Sequence, residues 1–249
     1  MRLNRFHLPG AVSGATMLLP DDESGHATRV LRVHAGTSIR VFDGLGHEFA
    51  AVVRAAGRSG VVVEVGKGVP APAAEPGVSV TLVMAILKGD HMDAVVRDAT
   101  MLGVCAVQPV VTDRTEVTMA ALSRGRRRAR LERVAVSSAK QCGRAVVPEV
   151  FEPVPLPELL SRWGTEPGAT RLVCVEPSAS VEAVSVRDIM RPESPVATLV
   201  IGPEGGWSGP ELQALAVHCR FVRLGARTLR ADAAPLVALA ALMTVWGDL

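Results

Sequence analysis

Residues 197–212 read ATLVIGPEGGWSGPEL, and they predict a strand, a turn and a helix in that order. The first five residues are apolar or β-branched, which is typical of a buried strand. Four glycines and two prolines then lie between Gly202 and Pro210. Ser208 and Glu211 have the S-x-x-E spacing of a helix capping box. This order of elements is typical of the ligand-binding edge of an open α/β sheet.

The turn matches neither of the two common nucleotide-binding motifs. No Gly-Lys-Ser/Thr closes it, so it is not a P-loop, and G-x-G-x-x-G is absent from it. From the pattern alone, two interpretations stay open. The turn is either a binding loop, whose glycines let the backbone approach a ligand, or an ordinary tight turn. Pro203 and Glu204 among the glycines favour the binding loop.

A second stretch of the same kind follows closely. Residues 221–235 read FVRLGARTLRADAAP, and an apolar run from Leu236 to Trp246 comes after them. The segments IGPEGG (201–206) and LGARTLR (224–230) together resemble the SPOUT superfamily of RNA methyltransferases. More narrowly, they resemble the family that methylates N3 of a uridine in small-subunit ribosomal RNA. That family carries I-G-P-E-G-G and then L-G-x-R-x-L-R near its C-terminus.

The resemblance implies an α/β fold with a mostly parallel sheet and a C-terminal trefoil knot, preceded by a small β-rich PUA-like domain. It implies S-adenosylmethionine as the cofactor, and 16S ribosomal RNA or the small ribosomal subunit as the partner. It also implies a homodimer. The run from Leu236 to Trp246 lacks a polar side, which independently favours a second buried face. The competing account is that the N-terminal domain of the same chain covers this helix.

The implied cofactor site lies at the ends of three predicted strands. Its candidate contacts are Val175, Glu176, Ile201, Gly202, Gly205, Gly206, Leu224, Gly225 and Leu229. Uridine N3 carries a proton, so the site needs a proton acceptor and a cation beside the resulting anion. Arg230 is the candidate cation, because a guanidinium stays protonated. Glu204 and Asp232 are the candidate acceptors, although Glu204 can equally hold its own loop by accepting backbone N–H bonds.

The chain up to residue 70 indicates a separate domain. Strand-like runs at 38–42 and 48–53 flank a glycine-rich turn, and a Pro- and Ala-rich linker spans 71–77. From residue 78 to residue 249, strands alternate with helices, which predicts a mostly parallel sheet. Motifs shared with the resembling family make three arginines candidate RNA contacts: Arg5, Arg29 and Arg32. Solvated surface charge is the alternative for each of them.

A basic stretch follows in the middle of the chain. Residues 120–147 hold eight basic side chains and a single acid, Glu132. A helix of this charge density repels itself unless it faces a polyanion, which favours RNA contact by Arg126, Arg127 and Arg130. The alternative is a solvated face whose acidic partners lie elsewhere in the fold. The passage at 140–149 resembles a family segment close to the substrate, which implies that Gln141 and Arg144 contact RNA.

Composition narrows the classes of protein that the sequence can represent. The net charge of the 249 residues is only +2, so any RNA binding must come from local patches. The four cysteines are far apart and form no C-x-x-C, which indicates reduced thiols rather than disulfides or a zinc site. No apolar run reaches the roughly 20 residues that span a bilayer, and the N-terminus lacks a signal-peptide pattern. We therefore expect a cytoplasmic protein with no metal and no membrane partner.

One departure from the resembling family lies beside the expected active site. Residues 231–233 are Ala-Asp-Ala, where the family usually has Thr-Glu-Thr. The change removes two hydroxyl groups and shortens a carboxylate. Three hypotheses therefore stay open: a uridine-N3 methyltransferase, a SPOUT enzyme with a different RNA target, or an RNA-binding relative that has lost catalysis. The glycine-rich turn and Arg230 favour the first two.

Overall fold

The chain divides into two compact units. The computed structural model describes residues 3–117, 119, 127–164 and 169–249. The first unit comprises residues 1–75 and 136–147, and the second comprises 76–135 and 148–249. The sequence-based division at 71–77 assigned residues 136–147 to the second domain, whereas here they contact the first. No change in composition marks this segment, so the sequence pattern had no signal for it.

The first unit is built on a small sheet. Its strands follow the spatial order β1-β3-β4-β5-β2, with β1 parallel to β3 and the other pairs antiparallel. Apolar residues that alternate along β4 and β5 form its core with Phe6, Leu19 and Ile39. The elements are β1 (Arg5–His7), β2 (Thr16–Leu18), α1 (Asp21–Arg29), β3 (Ser38–Phe42), β4 (Glu48–Gly57) and β5 (Gly60–Val69).

The second unit is built on a larger sheet. Among the described residues, eight strands pair in parallel in the order β11-β13-β10-β12-β6-β7-β8, with β9 also on β7. The elements are β6 (Ser79–Ala85), α2 (His91–Met101), β7 (Ala106–Val111), α3 (Arg127–Cys142), β8 (Glu149–Val150), β9 (Val154–Pro155), α4 (Leu156–Arg162), β10 (Thr170–Cys174), β11 (Val184–Ser185), β12 (Val196–Ile201), α5 (Gly209–Ala216), β13 (Arg220–Arg223) and α6 (Ala234–Trp246).

The mostly parallel α/β sheet predicted from the alternation is confirmed, whereas the trefoil knot stays a prediction. Strand β12 has the buried apolar sequence expected for a strand with neighbours on both sides. The predicted capping box is also present. The Glu211 amide donates to Ser208 Oγ at 3.3 Å, and the Ser208 amide donates to Glu211 Oε2 at 2.9 Å. Among the described residues, no helix has the length and apolar character needed to cross a membrane.

A buried ion pair holds the first unit together. Arg5 Nη2 donates to Glu48 Oε2 at 2.7 Å, and the side chains are only 5% and 0% exposed. Arg5 Nη1 also donates to the carbonyl oxygens of Ala139 and Lys140 at 3.2 and 3.0 Å. Through these bonds, one side chain links β1 and β4 with the C-terminal part of α3. Buried charges of this kind must be matched by partners, because desolvation is costly.

Replacing Glu48 with Gln is expected to lower the free energy of unfolding by about 3–5 kcal/mol, because Arg5 then stays buried without a counter-charge. The matched control is Glu64→Gln, which breaks the exposed Arg54–Glu64 pair and should change stability by about 1 kcal/mol or less. Urea denaturation of both variants measures the difference. Equal losses would show that the burial of the Arg5–Glu48 pair has no energetic consequence.

Candidate active site

A cavity of about 360 Å³ opens where strands of the second unit end. Three loops line it, at 174–177 after β10, at 201–207 after β12 and at 224–232 after β13. The carboxyl ends of parallel strands share one edge of a sheet, so these loops converge although they are distant in the sequence. The volume is within the range of small-molecule sites.

Eight of the nine predicted cofactor residues line this one cavity: Val175, Glu176, Ile201, Gly202, Gly206, Leu224, Gly225 and Leu229. Both predicted catalytic residues, Arg230 and Glu204, line it as well. Gly205 is the exception and lies on the other side of its loop. There, its carbonyl oxygen accepts a bond from Arg114 Nη1 at 2.8 Å.

The glycines of the turn are needed for different structural reasons. A Cβ on Gly202 would come within 2.9 Å of the Trp207 indole, so this glycine makes room for a side chain of the same loop. Trp207 Nε1 donates to the Cys174 carbonyl oxygen at 3.1 Å and thereby ties the loop to the end of β10. Gly206 has a φ of 67°, and a Cβ there would lie 3.0 Å from Glu176 Oε1. Gly206 therefore shapes the wall of the cavity itself.

The charged residues at the cavity contact one another. Arg230 Nε lies 3.2 Å from Asp232 Oδ1, and the Arg230 side chain is 76% exposed. Glu204 Oε1 accepts a bond from the Lys88 amide at 3.3 Å. This contact favours the interpretation in which Glu204 holds its loop in place. Arg230 lines the cavity, and its role as the cation stays a prediction.

His91 was missed in the sequence and lies at the same cavity. It is the first residue of α2, and its Nδ1 atom is 3.0 Å from Asp232 Oδ2. No histidine lies in either glycine-containing loop, so inspection of those loops alone overlooked it. The available signal was its place just after β6, whose carboxyl end lies at the same edge of the sheet.

Cys174 also lines the cavity, but it is not a nucleophile. Burial raises the pKa of its thiol to about 12, so the reactive thiolate is suppressed near neutral pH. Cys142 lies at the end of α3, and its Sγ donates to the Ala139 carbonyl oxygen at 3.7 Å. Among the described residues, no group of histidine, cysteine and carboxylate side chains is arranged to hold a metal ion.

Two predicted RNA contacts are buried in the first unit, which corrects the expectation that they face solvent. Arg5 is bonded to Glu48 as described, and Arg144 is only 3% exposed. Arg144 Nη2 donates to Glu75 Oε2 at 2.6 Å. Their burial and partners assign these arginines to the folding of the first unit, because a buried guanidinium cannot reach a phosphate without unfolding its surroundings.

The other candidates of the first unit are exposed. Arg29 and Arg32 border one surface depression of this unit, and Gln141 borders another together with His26 and Lys140. Arg32 has a φ of 51°, which is uncommon for a residue with a side chain. All three side chains are exposed at the surface of the first unit.

The basic helix has internal acidic partners. Arg130 donates to Asp93 Oδ2 and Asp90 Oδ1, both at 2.7 Å. Arg128 donates to Glu132 and Glu152 at 2.8 and 2.9 Å. Self-repulsion therefore does not by itself require a polyanion here, contrary to the premise of the sequence argument. Arg127 Nη1 donates to the Leu87 carbonyl oxygen at 3.3 Å, while Arg126 lies outside the described residues.

Comparison with known proteins agrees with this architecture. A family model described as "RNA methyltransferase domain" matches residues 74–243, and one described as "RNA methyltransferase PUA domain" matches residues 19–66. The fold, the cavity and these matches define an RNA methyltransferase with a PUA-like N-terminal domain.

Individual relatives narrow the family. Ribosomal RNA small subunit methyltransferase E of Mycobacterium bovis is 33% identical, with 92% of this chain and 86% of the relative covered. The protein of the same name from Synechocystis sp. is 30% identical, with 93% and 74% covered. At this identity and coverage, the chain belongs to the ribosomal RNA small subunit methyltransferase E family.

Solved structures show the same fold with a cofactor. The small subunit methyltransferase E of Neisseria gonorrhoeae, bound to S-adenosylmethionine, has a TM-score of 0.86, 32% identity and 98% coverage of each chain. A Legionella pneumophila protein in complex with the same cofactor has a TM-score of 0.87, 26% identity and 99% coverage of each chain.

Replacing Gly206 with Val is expected to weaken S-adenosylmethionine binding at least about tenfold. A β-branched residue at positive φ carries strain of about 1–3 kcal/mol, and its Cβ would displace Glu176 from the cavity wall. Calorimetric titration measures the affinity. Gly209→Ala is the matched control, because a Cβ at that helical position meets nothing within 4 Å. Unchanged affinity in a folded Gly206→Val protein would contradict the role of this glycine.

Proposed function

We propose that this protein transfers a methyl group from S-adenosylmethionine to N3 of a uridine in 16S ribosomal RNA. Family membership and the cofactor-bound relatives make it an S-adenosylmethionine-dependent methyltransferase of small-subunit ribosomal RNA. The N3 position is the finer part of the proposal. The observation that carries it is the joining of Arg230, Asp232 and the glycine-rich turn at one cavity.

The cavity suits this cofactor. Ile201, Leu224 and Leu229 provide apolar walls, and the backbone of Gly202, Gly206 and Gly225 is open to close approach. Val175 and Glu176 complete the proposed contacts from the loop after β10. S-adenosylmethionine supplies a methyl group that its sulfonium already activates. The protein therefore has to position the acceptor and manage the proton of the acceptor.

Arg230 is proposed to stabilise the negative charge that develops on the uracil ring. Its guanidinium is mostly exposed at the cavity and is held on one side by Asp232. A fixed cation beside the developing negative charge lowers the activation barrier, because the site does not have to reorganise during the reaction. Glu204 is proposed to hold two loops together, because its carboxylate accepts a hydrogen bond from the Lys88 amide. These are its own loop after β12 and the segment between β6 and α2.

The RNA is proposed to contact cations of both units. In the first unit these are Arg29 and Arg32, with Gln141 as a polar contact, and in the second they are Arg127 and Arg130. Arg130 is half exposed although it is paired with two aspartates, so it remains accessible. Arg126 is assigned by sequence alone. We infer a cytoplasmic location from the ribosomal RNA substrate.

A homodimer is also part of the proposal. Helix α6 lacks charged side chains, and its apolar residues Leu236, Val237 and Val245 are exposed. Leu242 is 1% exposed and belongs to the core of its own chain. A symmetric partner that covers the exposed apolar residues would bury surface that now contacts water.

The Ala231-Asp232-Ala233 departure does not favour the hypothesis of an inactive relative. Asp232 keeps a carboxylate at the cavity, where it contacts both Arg230 and His91. The lost threonine hydroxyls leave small apolar residues in their place. An active methyltransferase is therefore the function that this arrangement supports best.

Methyl transfer to small ribosomal subunits that lack the modification tests the function. The subunits come from cells in which the gene has been deleted, and nucleosides are identified by mass spectrometry after digestion. We expect N3-methyluridine at one site. The Arg230→Gln variant should lose about 10²–10³-fold in rate while it keeps its S-adenosylmethionine affinity. A different methylated nucleoside, or no product, would reject the N3 assignment.

Replacing Arg126, Arg127 and Arg130 together with Gln is expected to weaken RNA binding. The slope of log affinity against log salt should fall by about 0.7–0.9 for each phosphate that the variant no longer neutralises, because fewer counterions are released. Filter binding at several salt concentrations measures this slope. Arg162→Gln is the control, since Arg162 is an exposed arginine of α4 that is paired with Glu158 and lies outside the basic helix. If the slope of the triple variant equals that of the wild type, this helix is a solvated face.

A further inference from the structure

We propose that His91 accepts the proton from N3 of the acceptor uridine and that Asp232 orients the His91 ring. The inference rests on the proposed function, because an N3–H acceptor requires a base during methyl transfer. It names a catalytic residue that lies outside the two glycine-containing loops and that the sequence motifs do not include.

The His91–Asp232 contact fixes which ring nitrogen is available. Asp232 Oδ2 lies 3.0 Å from His91 Nδ1. A carboxylate at this distance accepts a hydrogen bond, so Nδ1 carries the hydrogen of the neutral ring. The lone pair is then on Nε2. Both residues line the cavity, and the His91 side chain is 44% exposed. Nε2 is therefore accessible to a uracil ring that is bound in the cavity.

The other titratable groups at the cavity are less suited to the task. The guanidinium groups of Arg227 and Arg230 cannot act as bases, and Cys174 is a buried thiol. Glu176 also lines the cavity and is a proposed cofactor contact. Asp232 already accepts hydrogen bonds from His91 and Arg230. Glu204 already accepts a hydrogen bond from the Lys88 amide. Histidine is the side chain whose charge ordinarily changes near neutral pH, which suits a general base that must be regenerated at each turnover.

Charges of both signs surround His91. They come from the two loops after β12 and β13, from the segment before α2, from α2 itself and from α3: Glu204, Arg230, Asp232, Lys88, Asp90, Asp93, Arg127 and Arg130. Several neutralise one another, since Arg130 is bonded to Asp90 and Asp93 and Lys88 pairs with Glu116. Helix α6, which contacts α2, carries no titratable side chain. Asp232 is the charged group for which a direct contact with the imidazole is observed.

The step balances in atoms and charge. The N3–H proton moves to His91 Nε2 while the electron pair of that bond stays on N3 and forms the new bond to the methyl carbon. The electron pair of the breaking carbon–sulfur bond stays on sulfur. The products are N3-methyluridine, S-adenosylhomocysteine and a protonated His91, which releases its proton to water through the exposed side of the ring.

Replacing His91 with Gln tests the step on small ribosomal subunits. The rate of N3-methyluridine formation should fall about 10²-fold or more near pH 7, while S-adenosylmethionine affinity stays within about twofold. In the wild type, the rate should rise with pH and then level off, as expected for catalysis by a general base. In the variant, it should rise with hydroxide concentration throughout, because the uridine must first lose its proton to solvent.

The matched control is His47→Gln. His47 Nδ1 also contacts a carboxylate, Asp43 Oδ2 at 2.7 Å, but His47 does not line the cavity. This variant should keep the wild-type rate and pH profile. If both histidine variants lose the same activity, the effect of His91→Gln is not specific to proton transfer and the proposal is overturned.

Nitrogen NMR of the histidine side chains in the free protein supplies a readout that is independent of activity. Assignment of the wild-type spectrum through the backbone resonances identifies the His91 ring. We expect the Nδ1–H tautomer in the wild type and a mixture of tautomers in Asp232→Ala. An Nε2–H tautomer in the wild type would overturn the proposal even if the His91→Gln protein did not fold.

Different results would reject the proposed function and the role of His91. A wild-type product other than N3-methyluridine would reject the proposed function and the role of His91 with it. N3-methyluridine formed by His91→Gln at the wild-type rate and pH profile would reject the role of His91 alone.

Discussion

Parallel pairing around β12 is the constraint on which the rest of the second unit depends. Strand β12 is hydrogen-bonded to β10 on one side and to β6 on the other, and β13 continues the sheet beyond β10. Because these strands run in one direction, their carboxyl ends meet at one edge, and the following loops form one cavity. His91 and Asp232 come together for the same reason.

The glycine-rich turn shows how one motif meets several requirements at once. Gly202 makes room for Trp207, whose indole is bonded to the end of β10, and the side chain of Arg114 covers Gly205. Gly206 adopts a left-handed backbone beside Glu176. Packing against Trp207 and Arg114 therefore explains two of the glycines, and the shape of the cavity explains the third. A turn built in this way presents backbone rather than side chains to a bound cofactor.

The arginines divide into two physical classes that their sequence context does not separate. Arg5 and Arg144 are buried against Glu48 and Glu75, where each replaces hydration with several hydrogen bonds. Arg29 and Arg32 face solvent. Both classes were predicted to contact RNA, since both lie in motifs of the same family. The acidic residues that pair with the buried arginines are distant along the chain. A count of basic residues along the sequence therefore overestimates the positive charge that is available at the surface.

The resemblance to a known family supplied the eight cofactor candidates that now lie at one cavity. Local chemistry was sufficient to predict the strand, turn and helix that the structure has at 196–216, the capping box at Ser208 and the parallel sheet. Each of these follows from neighbours in sequence: periodicity, backbone freedom and spacing of capping residues. The contact between His91 and Asp232, the burial of Arg5 and the packing of 136–147 with the first unit required the folded chain. They depend on residues far apart in sequence, and pairing of that kind is set by the order of strands in space, which no local pattern encodes.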